Sequence, residues 1–233
     1  MIAYHGKQEV KDIYVNRMQA HMDADELIRG TGFENGKGCA VGCTLNNYSH
    51  TQFASELGVP EEIGRLLDTL HEGTSAEVWP TLSLRFLNAI KPGADLGKIP
   101  NQINIFILKR NRDRVDTLEE VDKAVRDEVI AAIDQCIDLH TSQLAGVIIE
   151  SAAWSAAELA AESSRSAAEL AAWSARSAAE SAWSASWSAR SAARSARSAA
   201  MSAAESARSA ARSARPAELD LIAEELIRLL ESA

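Results

Sequence analysis

The stretch whose reading decides the fold is residues 151–215, SAAWSAAELAAESSRSAAELAAWSARSAAESAWSASWSARSAARSARSAAMSAAESARSAARSAR. Ser and Ala fill most of it, and one large side chain recurs at every third or fourth position. In order these are Trp154, Glu158, Glu162, Arg165, Glu169, Trp173, Arg176, Glu180, Trp183, Trp187, Arg190, Arg194, Arg197, Met201, Glu205, Arg208, Arg212 and Arg215. From Trp154 to Arg215 the series takes 17 steps over 61 residues, about 3.6 residues per step, which is the α-helical period. The large side chains therefore share one stripe, and no Gly or Pro interrupts the run before Pro216.

Near-11-residue units align at 155–165, 166–176, 177–187 and 198–208, with a ten-residue unit between the last two. An 11-residue repeat over three turns, about 3.67 residues per turn, predicts a straight or slightly right-handed helix. The stripe is polarised. From Glu158 to Glu180 it carries four Glu and two Arg, and from Arg190 to Arg215 six Arg and one Glu. An antiparallel partner sets each half against its complement, and that partner is either a second chain or the same helix folded back near 183–188. Left straight, the segment is about 98 Å long, with its Ala face and its Trp side chains wet. Ala is the best helix former, yet it removes little surface from water. Small side chains instead admit close backbone approach.

Working outward, residues 216–233 place Pro216 at a first helical position and Leu219, Ile222, Leu226, Ile227 and Leu230 on one face. A helix that short needs a surface on which to bury that face. On the other side, Thr117 and Glu120 have capping-box spacing. Leu118, Val121, Val125, Val129, Ile133, Ile137 and Leu144 then recur at helical spacing to about Glu150, and no residue compels a stop before the Ser/Ala run.

The remainder, 1–116, reads as a helical body. A first amphipathic helix is expected over 7–29, then a glycine-rich loop over 30–47 and a short helix over 49–57. Pro60, with Glu61 and Glu62 beside the N-terminal dipole, opens a helix running to about His71. Thr74 or Ser75 caps the next, and Pro80 either lies in its first turn or divides it. Residues 101–109 alternate enough to be a strand, but nothing offers a pairing partner, so they are assigned to a helix. Residues 110–116 read as a charged connection. The fold class is all-α, in four parts: the body (1–116), a connecting amphipathic helix (117–150), the Ser/Ala repeat helix (151–215) and a closing amphipathic helix (216–233).

The net charge of -9 is uneven: -8 over 1–150, +3 over 151–215 and -4 over 216–233. An acidic body beside a mildly basic helix favours contact between proteins and argues against nucleic acid as partner. The Arg stripe also lacks interleaved aromatics over most of its length. No apolar run approaches the roughly 20 residues needed to span a bilayer, and the first residues carry no secretory pattern. Three cysteines are too few for a disulfide framework. A soluble, cytoplasmic protein is the expectation, its partner being itself or another protein through the Ser/Ala helix.

Candidate chemistry gathers in the glycine-rich loop. Cys39 and Cys43, with His50 and His21, are a possible zinc set because thiolates and imidazoles suit that metal. Cys39 or Cys43 beside a histidine is alternatively a nucleophile. The simpler expectation is no cofactor, with buried structural cysteines. The glycines at 36, 38 and 42 lack the GxGxxG spacing and a preceding strand, so they read as backbone-conformation residues. His71 and His140 read as ordinary helix residues.

The segment ENGKGCAVGCT (34–44), following the helix end at Asp25-Glu26-Leu27-Ile28, resembles a group of uncharacterised bacterial and bacteriophage proteins. In that group such a body is followed by an Ala-rich repeat and a short closing helix. The resemblance implies that body, repeat and closing helix form one design, and it implies no catalytic residue. The function expected is a non-enzymatic structural or interaction protein. The competing expectation is a metal-binding or cysteine-dependent enzyme centred on the Cys loop.

Overall fold

The computed structural model describes residues 1–117, 123–153, 155–157 and 216–233. It is all-α, with a single two-stranded hairpin among the described residues. The chain divides into two compact units: Met1–Ile103 with Arg212–Ala233, and Asn104–Ala211. The closing helix thus belongs with the body, and the units divide inside a helix at Ile103 rather than at residue 116.

The first unit opens with a short left-handed turn. Tyr4, His5 and Gly6 have φ of 50°, 53° and 73°, a conformation that disfavours side chains by about 1–2 kcal/mol per residue. The Tyr4 ring, wholly buried, and its hydroxyl, donating to Leu87 O at 2.8 Å, offset that strain. The adjoining backbone pairs with residues 93–96, Ala3 N donating to Ala94 O at 2.9 Å.

Helix α1 (Gln8–Asp23) buries Tyr14, Met18 and His21. It ends six residues before the expected 29, because Asp25 takes φ 54° and Ile28 N donates instead to Gly38 O at 2.9 Å. The expected loop over 30–47 is largely ordered secondary structure. Strands β1 (Phe33–Glu34) and β2 (Lys37–Gly38) form an antiparallel hairpin around Asn35 (φ 52°) and Gly36 (φ 82°), the two left-handed positions of a type I′ turn. Helix α2 (Ala40–Leu45) follows, buried at every position.

Helix α3 (His50–Leu57) is capped by Ser49, whose hydroxyl accepts from Gln52 N, and stops at Gly58. Helix α4 (Glu61–Gly73) begins after Pro60 with both glutamates in its first turn. Helix α5 (Trp79–Ala89) has no side-chain cap; its first residue, Trp79, donates its N–H to Ser75 O, and Pro80 lies in the first turn. Helix α6 (Ile99–Asp116) includes 101–109 as helix and also 110–116, expected as a connection. The chain beyond Asp116 begins helix α7 (Lys123–Leu144). The final helix, α8, covers 216–232 among the described residues.

Phe53, Phe86, Met18, Leu57, Ile63, Leu67, Leu70, Leu82 and Leu87 form the core of the first unit, each at most 1% exposed. Ala223, Leu226 and Leu230 of α8 are equally buried.

In the second unit, Arg112 Nε on α6 meets Asp134 Oδ1 on α7 at 2.6 Å. Helix α7 does not run into the Ser/Ala stretch. Gly146 adopts φ 84°, Val147 N donates to Ser142 O at 3.0 Å and Gly146 N to Gln143 O at 3.0 Å. That double bond around a left-handed glycine is a Schellman termination. Residues 151–153 and 155–157 are helical. The rest of the expected repeat helix, every large residue of its stripe from Trp154 to Arg215, its straight or folded-back course, and Glu120 of the capping box lie outside the described residues.

Candidate functional sites in the Cys loop and at the closing helix

The Cys loop is held together by backbone crossing backbone. A Cβ on Gly42 or on Gly38 would collide with the Gly32 carbonyl oxygen, and one on Gly32 would lie 2.5 Å from the Tyr48 ring. These three glycines serve close approach, whereas Gly36 serves the turn.

Cys39 is the N-cap of α2, its sulfur accepting from Gly42 N at 3.5 Å. Cys43 donates its thiol to Gly38 O at 3.3 Å. Burial, with Asp68 facing the thiol, pushes the Cys39 pKa up to about 12. Burial likewise pushes Cys43 up to about 11. Both are therefore neutral thiols at physiological pH, while nucleophilic attack needs the thiolate.

His21 and His50 stand apart. His21 Nδ1 pairs with Glu26 Oε2 at 2.7 Å and Nε2 lies 2.6 Å from Asn46 Oδ1. Its ring thus joins the end of α1 to both ends of the Cys loop. His50 Nε2 lies 3.4 Å from Asp68 Oδ2, and its ring stands edge-on to Tyr48 at 5.1 Å. Among the described residues no three His, Cys, Asp or Glu side chains converge to hold a metal ion. The zinc set Cys39, Cys43, His50 and His21 is thus not assembled: Cys39 and His50 both face Asp68, Cys43 donates to Gly38 O, and His21 bridges Glu26 and Asn46.

Asp68 of α4 is the residue that sequence reasoning missed here. It accepts from Tyr48 OH at 2.7 Å, faces the Cys39 thiol and lies beside His50. The Tyr48 hydroxyl is pushed up to about 12, chiefly by that hydrogen bond. Cysteine, histidine and aspartate thus meet, but in the wrong order for a catalytic triad. The carboxylate rather than the imidazole faces the thiol, and it suppresses ionisation instead of promoting it. No periodicity marks Asp68, because its partners come from three other elements.

A second hub joins the loop to the ends of α4, α5 and α8. Arg29 donates from Nε to His71 O at 2.8 Å and from Nη2 to Thr74 O at 2.7 Å, while its guanidinium lies 4.8 Å from the centre of the Trp79 ring. Gly30 N donates to both Glu72 carboxylate oxygens at 3.1 and 2.9 Å. His71, wholly buried, donates from Nε2 to Ile28 O at 2.9 Å, leaving Nδ1 without a partner. Burial lowers its pKa, so the ring stays neutral.

From this hub α8 extends along α5. Ser75 N donates to Asp220 Oδ1 at 2.8 Å, Arg85 holds Glu224 with bonds of 2.8 and 2.6 Å, and Lys91 Nζ donates to Glu231 O at 2.7 Å. Leu219 crosses Gly73, where any Cβ would collide with its Cδ1. Between these polar ties Ile222, Leu226, Ile227 and Leu230 are buried. Beside α8 lies an open, mainly apolar groove of about 680 Å³ whose lining includes Met22, Leu84, Ala89 and Ile227.

No protein-family model, curated protein or solved structure matches the chain. No helix among the described residues is long and apolar enough to cross a membrane.

Proposed function

We propose that this is a non-enzymatic interaction protein in which the Ser/Ala-rich segment, 151–215, joins copies of the chain to one another. The body supplies its anchorage. One observation carries the reading: α8, which follows the segment, is packed into the core of the unit formed by residues 1–103. The chain therefore leaves that unit at α6 and returns to it at α8. A side-chain stripe with segregated charge, tied to a folded body at its distal end, suits self-association better than it suits chemistry. The Cys loop supports this by its character as packing: neutral thiols, a His21 ring spent on local bonds, and glycines consumed by close approach.

The reading is tested on the full chain by substituting Trp173, Trp183 and Trp187 together with Ser and comparing sedimentation with the wild type. Expected is an associating wild type and a dissociated variant whose body unfolds at the same urea concentration. A second protein as partner is indicated if the wild type stays monomeric alone but binds a partner that the variant does not. A monomeric wild type with no such partner overturns the proposal.

A further inference from the structure

We infer that the seat for α8 on α4 and α5 also accepts α8 from a second copy of the chain, so that associated copies exchange closing helices. The seat recognises a helix of defined direction and register. Ser75 N takes a carboxylate near the start of α8, Arg85 one at its middle, and Lys91 the Glu231 carbonyl oxygen near its end. Gly73 leaves a gap that Leu219 fills. None of these contacts depends on which chain supplies the helix. The three polar ties join residues 139 to 145 positions apart.

Connection length favours exchange. Residues 104–211 form a separate unit between the two halves of the first, so α8 is not presented to its seat by a short hinge. Exchanging an identical element between protomers makes no new interface, and its free-energy difference is correspondingly small. Association through the Ser/Ala segment raises the local concentration of a second seat, and to that extent exchange rests on the proposed function.

The test uses two full-length chains with complementary defects, one carrying G73A and R85E, the other L219A and E224R. Within either chain, seat and helix disagree in shape and charge. Exchange between the two restores agreement at both seats at once. After mixing and refolding from urea, native mass spectrometry of chains of 25.1 kDa is expected to show a ratio of heterodimers to homodimers about tenfold above the statistical one. A chain carrying all four substitutions controls for folding, since its own helix fits its own seat.

If the wild type associates but the mixed chains pair only statistically, exchange is overturned and the Ser/Ala reading stands. If the mixed chains pair selectively while the Trp173, Trp183 and Trp187 variant associates as fully as the wild type, exchange stands and the Ser/Ala reading falls. With neither pairing nor association, both fall.

Discussion

Arg85 on α5 grips both carboxylate oxygens of Glu224 on α8, a residue 139 positions further along the chain. Their side chains are 39% and 52% exposed. A pair that wet contributes only about 0.5–1 kcal/mol even when bidentate. Its role is to set register, while the apolar face supplies most of the stability. A double-mutant cycle on Arg85→Ala and Glu224→Ala, read by urea unfolding, is expected to give a coupling of that size. Leu226→Ala, at a position with no exposure, is expected to lose about 2–4 kcal/mol. A larger loss from the ion pair than from Leu226 would reverse this ranking.

Acid should loosen the Arg29–His71–Trp79 hub. Burial lowers the His71 pKa from its usual 6.5. A group with a depressed folded-state pKa gives stability that is present above the unfolded value and lost as pH falls through the folded one. Unfolding free energy is therefore expected to drop as pH falls from 6.5, and less so in His71→Gln, which retains a donor for Ile28 O. Equal pH slopes in the two proteins would refute the assignment.

Alkali acts on the Cys loop with the opposite sign. Cys39 and Cys43 rise from 9.0 to about 12 and about 11. Their contribution is intact below pH 9 and fades as pH climbs towards 12. In the native protein at neutral pH, a thiol reagent is expected to label the partly exposed Cys136 first and the two buried thiols only on unfolding. Rapid native labelling of Cys39 would restore the case for a nucleophile.

The glycines differ in what they tolerate. Gly42→Ala drives a methyl into the Gly32 carbonyl and is expected to destabilise by about 3 kcal/mol or more. Gly36→Ala, where a Cβ meets only Glu26 Oε1 at an ordinary 3.8 Å but φ is 82°, should lose only about 1 kcal/mol. Urea midpoints of the two variants check the order.

Much of the helical framework was legible because its punctuation is local. Ser49 before α3, Gly58 after it and Pro60 with its glutamates act through residues next to them in sequence. The assignment of 101–109 to helix followed from the want of a pairing strand. Two local signals were passed over. Asn35-Gly36 is a hairpin signature, overlooked because strands two residues long show no alternation. Gly146 followed by Val147 is a helix stop with its hydrophobic companion, overlooked because the apolar period runs on past it. The roles of Asp68, Arg29 and His71 were not legible at all. Their partners lie on other elements, and no spacing within one helix encodes them. The cysteines and histidines drew notice as ligand types, but burial and neighbours, which decide whether a thiol ionises, appear only once the chain is folded.

Because α8 completes the core formed by the first hundred residues, a ribosome making this protein produces the seat long before its occupant. Glu224 follows Arg85 by 139 positions, an interval of roughly 7–28 s at typical elongation rates of about 5–20 residues per second. Through that interval the newborn chain carries a bare apolar face on α4 and α5. The speed of translation through the Ser and Ala codons thus governs how long each nascent body stays open to chaperones and to its siblings on the same message.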